Sequence, residues 1–280
     1  MKIVKALANL YIFLSNINLC YTFTINVINL PYDLGANKQG SRHAFSILKN
    51  DLLNSININE IIELTANSKD LRNELLNAYI ESLKSLNSDK IPLLIGGDHT
   101  SAIPNIFASN NFCITNNERL GVLWIDAHAD FNTMQTSETK NIHGMPVSIL
   151  CGHTLQNLTF DEYLEPSQFL YYGVRDIDTI ELDRFKKYNM KLLDNPYELK
   201  AWLQQFDKIH ISFDMDSLDP TVFSSVNTPI KNGLTLANVA YLFNYIRNSK
   251  KLQSLDVVEY NPTLGNQNSV IVQLLKELFY

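Results

Sequence analysis

The 280-residue chain has few of the residues that mark specialised architectures. Its three cysteines, Cys20, Cys113 and Cys151, are too few and too scattered for a disulfide framework, and no CxxC pair of the kind that binds zinc is present. A reducing compartment, the cytoplasm, is therefore the expectation. With ten glycines and nine prolines, no low-complexity linker or collagen-like repeat is present. Positive charge is also in deficit: 23 Lys+Arg against 29 Asp+Glu give a net charge of −6, and the basic excess of a nucleic-acid binder is missing. No apolar run reaches the ~20 residues of a membrane span. What remains is the composition of a packed globular protein, 45% hydrophobic and 19% charged, which excludes intrinsic disorder. The length suits one large domain or two modest ones, at roughly 100–200 residues each.

Residues 1–20 stand apart. Two lysines precede a short apolar run, Ala6 to Leu14, interrupted by Asn9. A secretory signal has this outline, but no small-x-small cleavage site follows. An amphipathic extension packed on the domain is the preferred reading of 1–20, with export as the alternative. Residues 21–280 then form one domain.

Tyr21–Leu30 alternates in β-branched and apolar residues, as a strand does. Asn59–Leu86 places Ile61, Ile62, Leu64, Leu71, Leu75, Leu76 and Tyr79 at helical spacing, which predicts one or two helices. Ile91–Ile95, Leu120–Ile125, Phe169–Val174, Ile209–Phe213 and Leu255–Val258 are compact apolar runs. Helical stretches follow at Asp178–Tyr188, Thr235–Asn248 and Gln267–Leu278. Short, nearly all-apolar strands alternating with helices predict a single α/β domain, a parallel β-sheet covered by helices on both faces.

The acidic residues gather where those strands end. One run leads into Gly96-Gly97-Asp98-His99, another into Asp126-Ala127-His128-Ala129-Asp130, and a third into Asp214-Met215-Asp216, then Asp219-Pro220. In such a sheet, ligands bind in the crevice at the carboxyl ends of the strands. Alternate residues of an extended segment point the same way, so Asp126, His128 and Asp130 can converge, as can Asp214 and Asp216. Carboxylates crowded at one sheet edge need a compensating cation. Five or six O/N donors exceed one tetrahedral zinc; carboxylate-rich ligation with imidazole suits manganese or a similar divalent ion. Two ions bridged by shared carboxylates, roughly 3.5–4 Å apart, account for the donor count.

Five motifs then carry a family resemblance: GGDHT at 96–100, IDAHADFNT at 125–133, NIHGMPVSIL at 141–150, SFDMDSLDP at 212–220 and DVVEYNPTLG at 256–265. Their order and spacing resemble the ureohydrolase family, and the arginases within it, from about Ile25 to the C-terminus. The resemblance implies a single three-layer domain and two Mn²⁺ per subunit. It implies that His99, Asp126, Asp130 and Asp214 hold one ion and that Asp126, His128, Asp214 and Asp216 hold the other, with Asp126 and Asp214 bridging. A bridging hydroxide would attack the guanidinium carbon, with Asp130 orienting it. His143 would be the proton shuttle, a role that suits an imidazole. Glu259 would pair with the guanidinium, two planar groups matching.

The same resemblance bears on substrate. Gly173–Glu181 is similar to the arginase GxRDxDxxE stretch, in which the residues matching Asp178 and Glu181 recognise the α-amino end. Asn132 and Thr139 match residues that contact the α-carboxylate, Thr139 standing where a serine is usual. L-arginine hydrolysis to L-ornithine and urea is therefore expected. The alternatives are another ureohydrolase, acting on agmatine or a guanidino acid, and a catalytically silent metal-binding relative. A deacetylase of related fold is disfavoured by the complete double ligand set. Departures occur at His43-Ala44, Asn227, Asn232 and Asn238, none at an implied ligand. A homo-oligomer is expected from the family. Two dications would bring the formal charge from −6 to −2, so the acidity reports a metal centre rather than a partner.

Overall fold

The computed structural model describes residues 23–66, 70–153, 162–194 and 196–280. The extension at 1–20, Cys20 and the first two residues of the expected opening strand lie outside them. The strands are β1 (Ile25–Leu30), β2 (Ile58–Glu63), β3 (Ile91–Gly96), β4 (Leu120–Ile125), β5 (Phe169–Tyr172), β6 (Lys191–Leu192), β7 (Lys208–Asp214) and β8 (Leu252–Val258). They form one sheet in the order β2-β1-β3-β8-β7-β4-β5-β6. Every pairing is parallel.

The helices are α1 (Ala44–Leu53), α2 (Leu71–Asn87), α3 (Ile103–Thr115), α4 (Pro146–Leu150), α5 (Thr179–Lys187), α6 (Pro196–Leu203), α7 (Leu236–Ser249) and α8 (Asn268–Phe279). Strand alternation sends side chains to two separate cores, one on each face. On one face, Leu123 and Ile125 of β4 and Ile209, Ile211 and Phe213 of β7 meet α1, α6, α7 and α8 through residues such as Phe45, Trp202, Phe243 and Leu275. On the other, Val122 and Trp124 of β4 and Phe169 and Tyr171 of β5 meet α2, α3, α4 and α5 through Leu75, Phe107, Ile149 and Phe185. Burying each of these large side chains stabilises by about 1.5–3 kcal/mol. This is the three-layer domain the sequence predicts.

One expectation is corrected. Ile58–Glu63 is a strand, not the start of a helix. Its β-branched Ile58, Ile61 and Ile62 suit a half-exposed edge, and the backbone hydrogen bonds offered by β1, with Val27 opposite Ile61 and Ile28 opposite Ile62, decide the outcome. The helix begins only at Leu71. Helices α1, α3, α4 and α6 and strand β6 have no counterpart in the sequence reading.

Candidate metal centre and its cleft

The four middle strands, β3, β8, β7 and β4, deliver the site at their carboxyl ends. β3 runs into a 3-10 turn, His99–Ala102, whose first peptide group is capped by Asp98. β4 runs into Asp126–Asp130, β7 into Asp214 and the 3-10 turn Met215–Ser217, and β8 into Glu259. The convergence is not that of plain extended chain. Asp130 has φ 48° and Glu259 φ 62°, left-handed backbone that costs non-glycine residues of order 1–3 kcal/mol. That strain sits at the two carboxylates that must turn back into the cleft.

Two groups of ligand atoms result: His99, Asp126 and Asp214, and then Asp126, His128 and Asp216, the atoms of each group within 4.8 Å of one another. Asp126 belongs to both. Around His99 Nδ1 stand Asp126 Oδ2 at 3.1 Å, Asp130 Oδ2 at 3.1 Å and Asp214 Oδ2 at 3.0 Å. His128 Nδ1 lies 3.4 Å from Asp126 Oδ1 and 3.2 Å from Asp216 Oδ2. His99 Nδ1 makes no hydrogen bond among the described residues although it is fully buried. A buried nitrogen facing three carboxylate oxygens fits a divalent cation, which can accept electron pairs from all of them at once.

The electrostatics express the same demand. Burial opposes charging His99 and His128, yet the carboxylates outweigh it and push both imidazoles well above their ordinary value. Burial would raise Asp126, but its contacts with His128 and His99 reverse this and hold it below the usual carboxylate range. Asp130 rises to about 6 through burial and the neighbouring Asp126 charge. Asp214 is also pushed up, by burial and then by Asp216 and Asp126.

A ring of further contacts fixes these side chains. Trp124 donates to Asp126 Oδ2 at 3.0 Å and stacks on His99 with ring centres 4.2 Å apart. Ser212 Oγ meets His99 Nε2 at 3.0 Å. The Thr228 hydroxyl donates to Asp216 Oδ2 at 2.8 Å. Arg175 donates to the carbonyls of Asp216 and Ser217 and to those of Ile230 and Lys231, tying the ligand turn to its neighbour. Sequence reasoning assigned no role to Trp124, Ser212 or Thr228. For the first two a signal existed: each lies two residues before a ligand on its strand, hence on the same face.

The cleft above the ligands has a volume of about 250 Å³. It is lined by His99, His128, Asp130, Asn132, His143, Asp178, Glu181, Asp214, Asp216 and Glu259, with Gly144, Asp176 and Thr228. Asp126 lies beneath, fully buried. Thr139 is not among the lining residues: it is exposed, and its hydroxyl accepts from Asn141 N at 3.3 Å. His143 Nδ1 lies 3.0 Å from Glu259 Oε1, which also accepts from His99 N at 3.0 Å. Burial lowers the affinity of His143 for a proton, but Glu259 more than offsets this and brings it to about 9. Glu259 Oε2 is buried with no hydrogen-bond partner among the described residues. Asp178 caps α5 by accepting from Glu181 N at 2.8 Å and also accepts from Asn132 Nδ2 at 2.8 Å. Glu181, 5% exposed, accepts from Phe131 N at 2.7 Å, and burial raises it to about 8.

The model of the arginase family matches residues 23–280. The chain belongs to the arginase family. It is 33% identical to the arginase of Entamoeba histolytica over 227 residues, 76% of this chain and 73% of that one. Among solved structures, the arginase of Bacillus subtilis superposes with a TM-score of 0.81 at 27% identity, covering 91% of this chain and 98% of the other. The Entamoeba histolytica arginase in complex with L-ornithine does so with a TM-score of 0.81 at 26% identity, covering 92% and 99%. The protein is thus an arginase-family hydrolase. No helix among the described residues is long and apolar enough to cross a membrane.

Proposed function

We propose that this hydrolase converts L-arginine to L-ornithine and urea on two Mn²⁺ ions. The observation that carries the reading is Glu259 Oε2: a buried carboxylate oxygen with no hydrogen-bond partner among the described residues, in a cleft shared with both ligand groups. A planar cation with several N–H donors answers such a group, and a guanidinium is one. His99, Asp126, Asp130 and Asp214 would hold one ion; Asp126, His128, Asp214 and Asp216 would hold the other. When bound, the ions supply charge compensation and a water acidified enough to act as nucleophile near neutral pH. Glu259 orients the guanidinium, and Asp130, at the cleft floor, accepts a hydrogen bond from the attacking group. His143, held at Nδ1 by Glu259, carries a proton toward the leaving amine. Asp178 and Glu181 would meet the α-amino end, and Asn132 the α-carboxylate.

One observation favours the second reading, a guanidino substrate without an α-carboxylate such as agmatine. Thr139 lies off the cleft lining, which leaves Asn132 alone for the carboxylate. The deciding experiment is urea release from a panel of guanidino compounds after Mn²⁺ loading, with metal stoichiometry on the same sample. Agmatine turned over tenfold faster than arginine overturns the substrate assignment. Two bound ions with no turnover of any guanidine overturns the activity. Sedimentation analysis of the same sample tests the homo-oligomer, and the free thiols of Cys113 and Cys151 support a reducing, cytoplasmic setting.

A further inference from the structure

Through His99 the ligand clusters are joined to a closed ring of hydrogen bonds that starts from a carboxylate outside the ligand set. Asp98 is fully buried. Its Oδ1 accepts from Thr100 N at 2.9 Å, capping the turn that carries His99. Its Oδ2 accepts from Gly35 N at 2.6 Å, 63 residues away in the segment that follows β1. Gly35 O in turn accepts from His143 N at 3.3 Å. His143 Nδ1 meets Glu259 Oε1, and the same oxygen accepts from His99 N, which returns the ring to Asp98.

The contact at Gly35 is a close one. A Cβ there would collide with Thr100 Oγ1 and stand 2.9 Å from Asp98 Oδ2, so only glycine lets the backbone reach the carboxylate. The far end of the same segment is clamped separately. Asn227 Nδ2 donates to Lys38 O at 3.0 Å, Lys38 Nζ donates to Asn227 O at 3.0 Å, and Asn261 Nδ2 donates to Gln39 O at 3.3 Å. Residues 35–39 are therefore a strap pinned at both ends, and the pin at the cleft is Asp98.

We propose that Asp98 is a positioning residue for His143: through the Gly35 peptide it fixes the His143 backbone and so the line between the imidazole and Glu259. The proposal rests on the reading of His143 as the proton carrier. Asp98→Asn keeps one oxygen for Thr100 N but turns the other into an NH₂ that confronts the Gly35 N–H, donor against donor. It is expected to lower kcat about 10–100-fold, the cost of a small misplacement of a reacting group. Metal stoichiometry should stay at the wild-type value. The loss should vanish in a His143→Ala background, the double variant matching His143→Ala within about twofold. Gly35→Ala, which leaves the carboxylate intact, should show the same pattern. In Zn²⁺-loaded protein, which is diamagnetic, the His143 imidazole resonance should move in both single variants. Wild-type kcat, an equal fold-loss in both backgrounds, or loss of metal would each overturn the proposal. A wild-type protein that turns over no guanidine sinks the activity assignment alone, whereas an unmoved His143 resonance sinks the positioning role alone.

Discussion

Two imidazoles stand within a few residues of the same stretch of β7, both surrounded by Asp and Ser, and they do opposite things. His210 is fully buried, with Nδ1 2.6 Å from Ser254 Oγ and Nε2 2.8 Å from Asp256 Oδ2. Asp256 Oδ1 accepts from Asn105 Nδ2 at 2.6 Å, and Ser254 meets Ser109 at 2.5 Å, which binds β8 to α3. His99 is as deeply buried, but one of its nitrogens faces three carboxylates and hydrogen-bonds to none. The residue types and the depth are alike; the stoichiometry differs. One carboxylate per imidazole is a satisfied pair and holds secondary structure together. Three per nitrogen is a standing demand for a cation.

The comparison is tested most severely by removing Asp126, which belongs to both ligand groups, or Asp214, which is proposed to join it in bridging them. Asp126→Ala or Asp214→Ala should abolish turnover and reduce bound metal from two ions toward one or none, with the fold retained by circular dichroism. Normal metal content and turnover would refute the shared-ligand roles. His210→Ala should do the reverse. Deleting the imidazole leaves buried Asp256 Oδ2 and Ser254 Oγ without their partner and should cost about 1–3 kcal/mol of stability in denaturant unfolding. Metal stoichiometry should be unchanged. Metal loss in His210→Ala would mean that the two imidazoles belong to one system after all.

The contrast also explains what could be read from the sequence. β3, β4, β7 and β8 were legible because each carries a short apolar run that gives way abruptly to a polar motif, Gly97-Asp98-His99, Asp126, Asp214-Met215-Asp216 or Glu259, and those ends are the site. Helix α3 was not. Its inward face carries Asn105, Ser109 and Asn110, all buried. Asn105 and Ser109 serve the His210–Asp256 pair and Asn110 meets Gln168, so the apolar stripe that announces a helix is broken. β2 was misread because Ile61, Ile62 and Leu64 satisfy helical spacing as well as an edge strand, and only the partner β1 decides between them. Asp98 stood in plain view within GGDHT, but its partner Gly35 lies 63 residues away, and no local pattern joins them. The left-handed turns at Asp130 and Glu259 were likewise invisible, because period-two alternation assumes an extended chain.

A smaller effect, involving one carboxyl proton rather than a network, separates a buried acid at the cleft's outer end from the ligands. Burial raises Glu181 from an ordinary value near 4.5 to about 8. Below pH 4.5 it is protonated in both folded and unfolded chains and has no effect on their balance. Between pH 4.5 and 8 the folded chain binds the extra proton, so stability falls as pH rises, and above 8 the full penalty for a buried charge is present. In metal-stripped protein, Glu181→Gln should therefore match the wild type at pH 4.5 and become progressively the more stable of the two toward pH 8, as read from urea midpoints. A gap independent of pH would assign Glu181 a packing role only.

The smallest effect is expected at Thr139, and its smallness is informative. Asn132 lines the cleft, with Nδ2 on Asp178 and Oδ1 accepting from Thr136 Oγ1 at 2.8 Å, so it is held in place from two sides. Thr139 is exposed, and its hydroxyl lies 3.4 Å from Ser137 Oγ and accepts the Asn141 N–H, which confines it to its own turn. Removing a hydroxyl that reaches nothing in the cleft forfeits no substrate contact, so Thr139→Ala should leave kcat unchanged and KM for arginine within about twofold, roughly 0.4 kcal/mol. Asn132→Ala measured beside it should raise KM clearly more. A KM increase of tenfold or more in Thr139→Ala would show that the turn folds over the bound substrate and that the α-carboxylate is read by the hydroxyl. An equal, small response in both variants would instead leave the carboxylate end unrecognised, and the panel of guanidino substrates should then show arginine losing its advantage over agmatine.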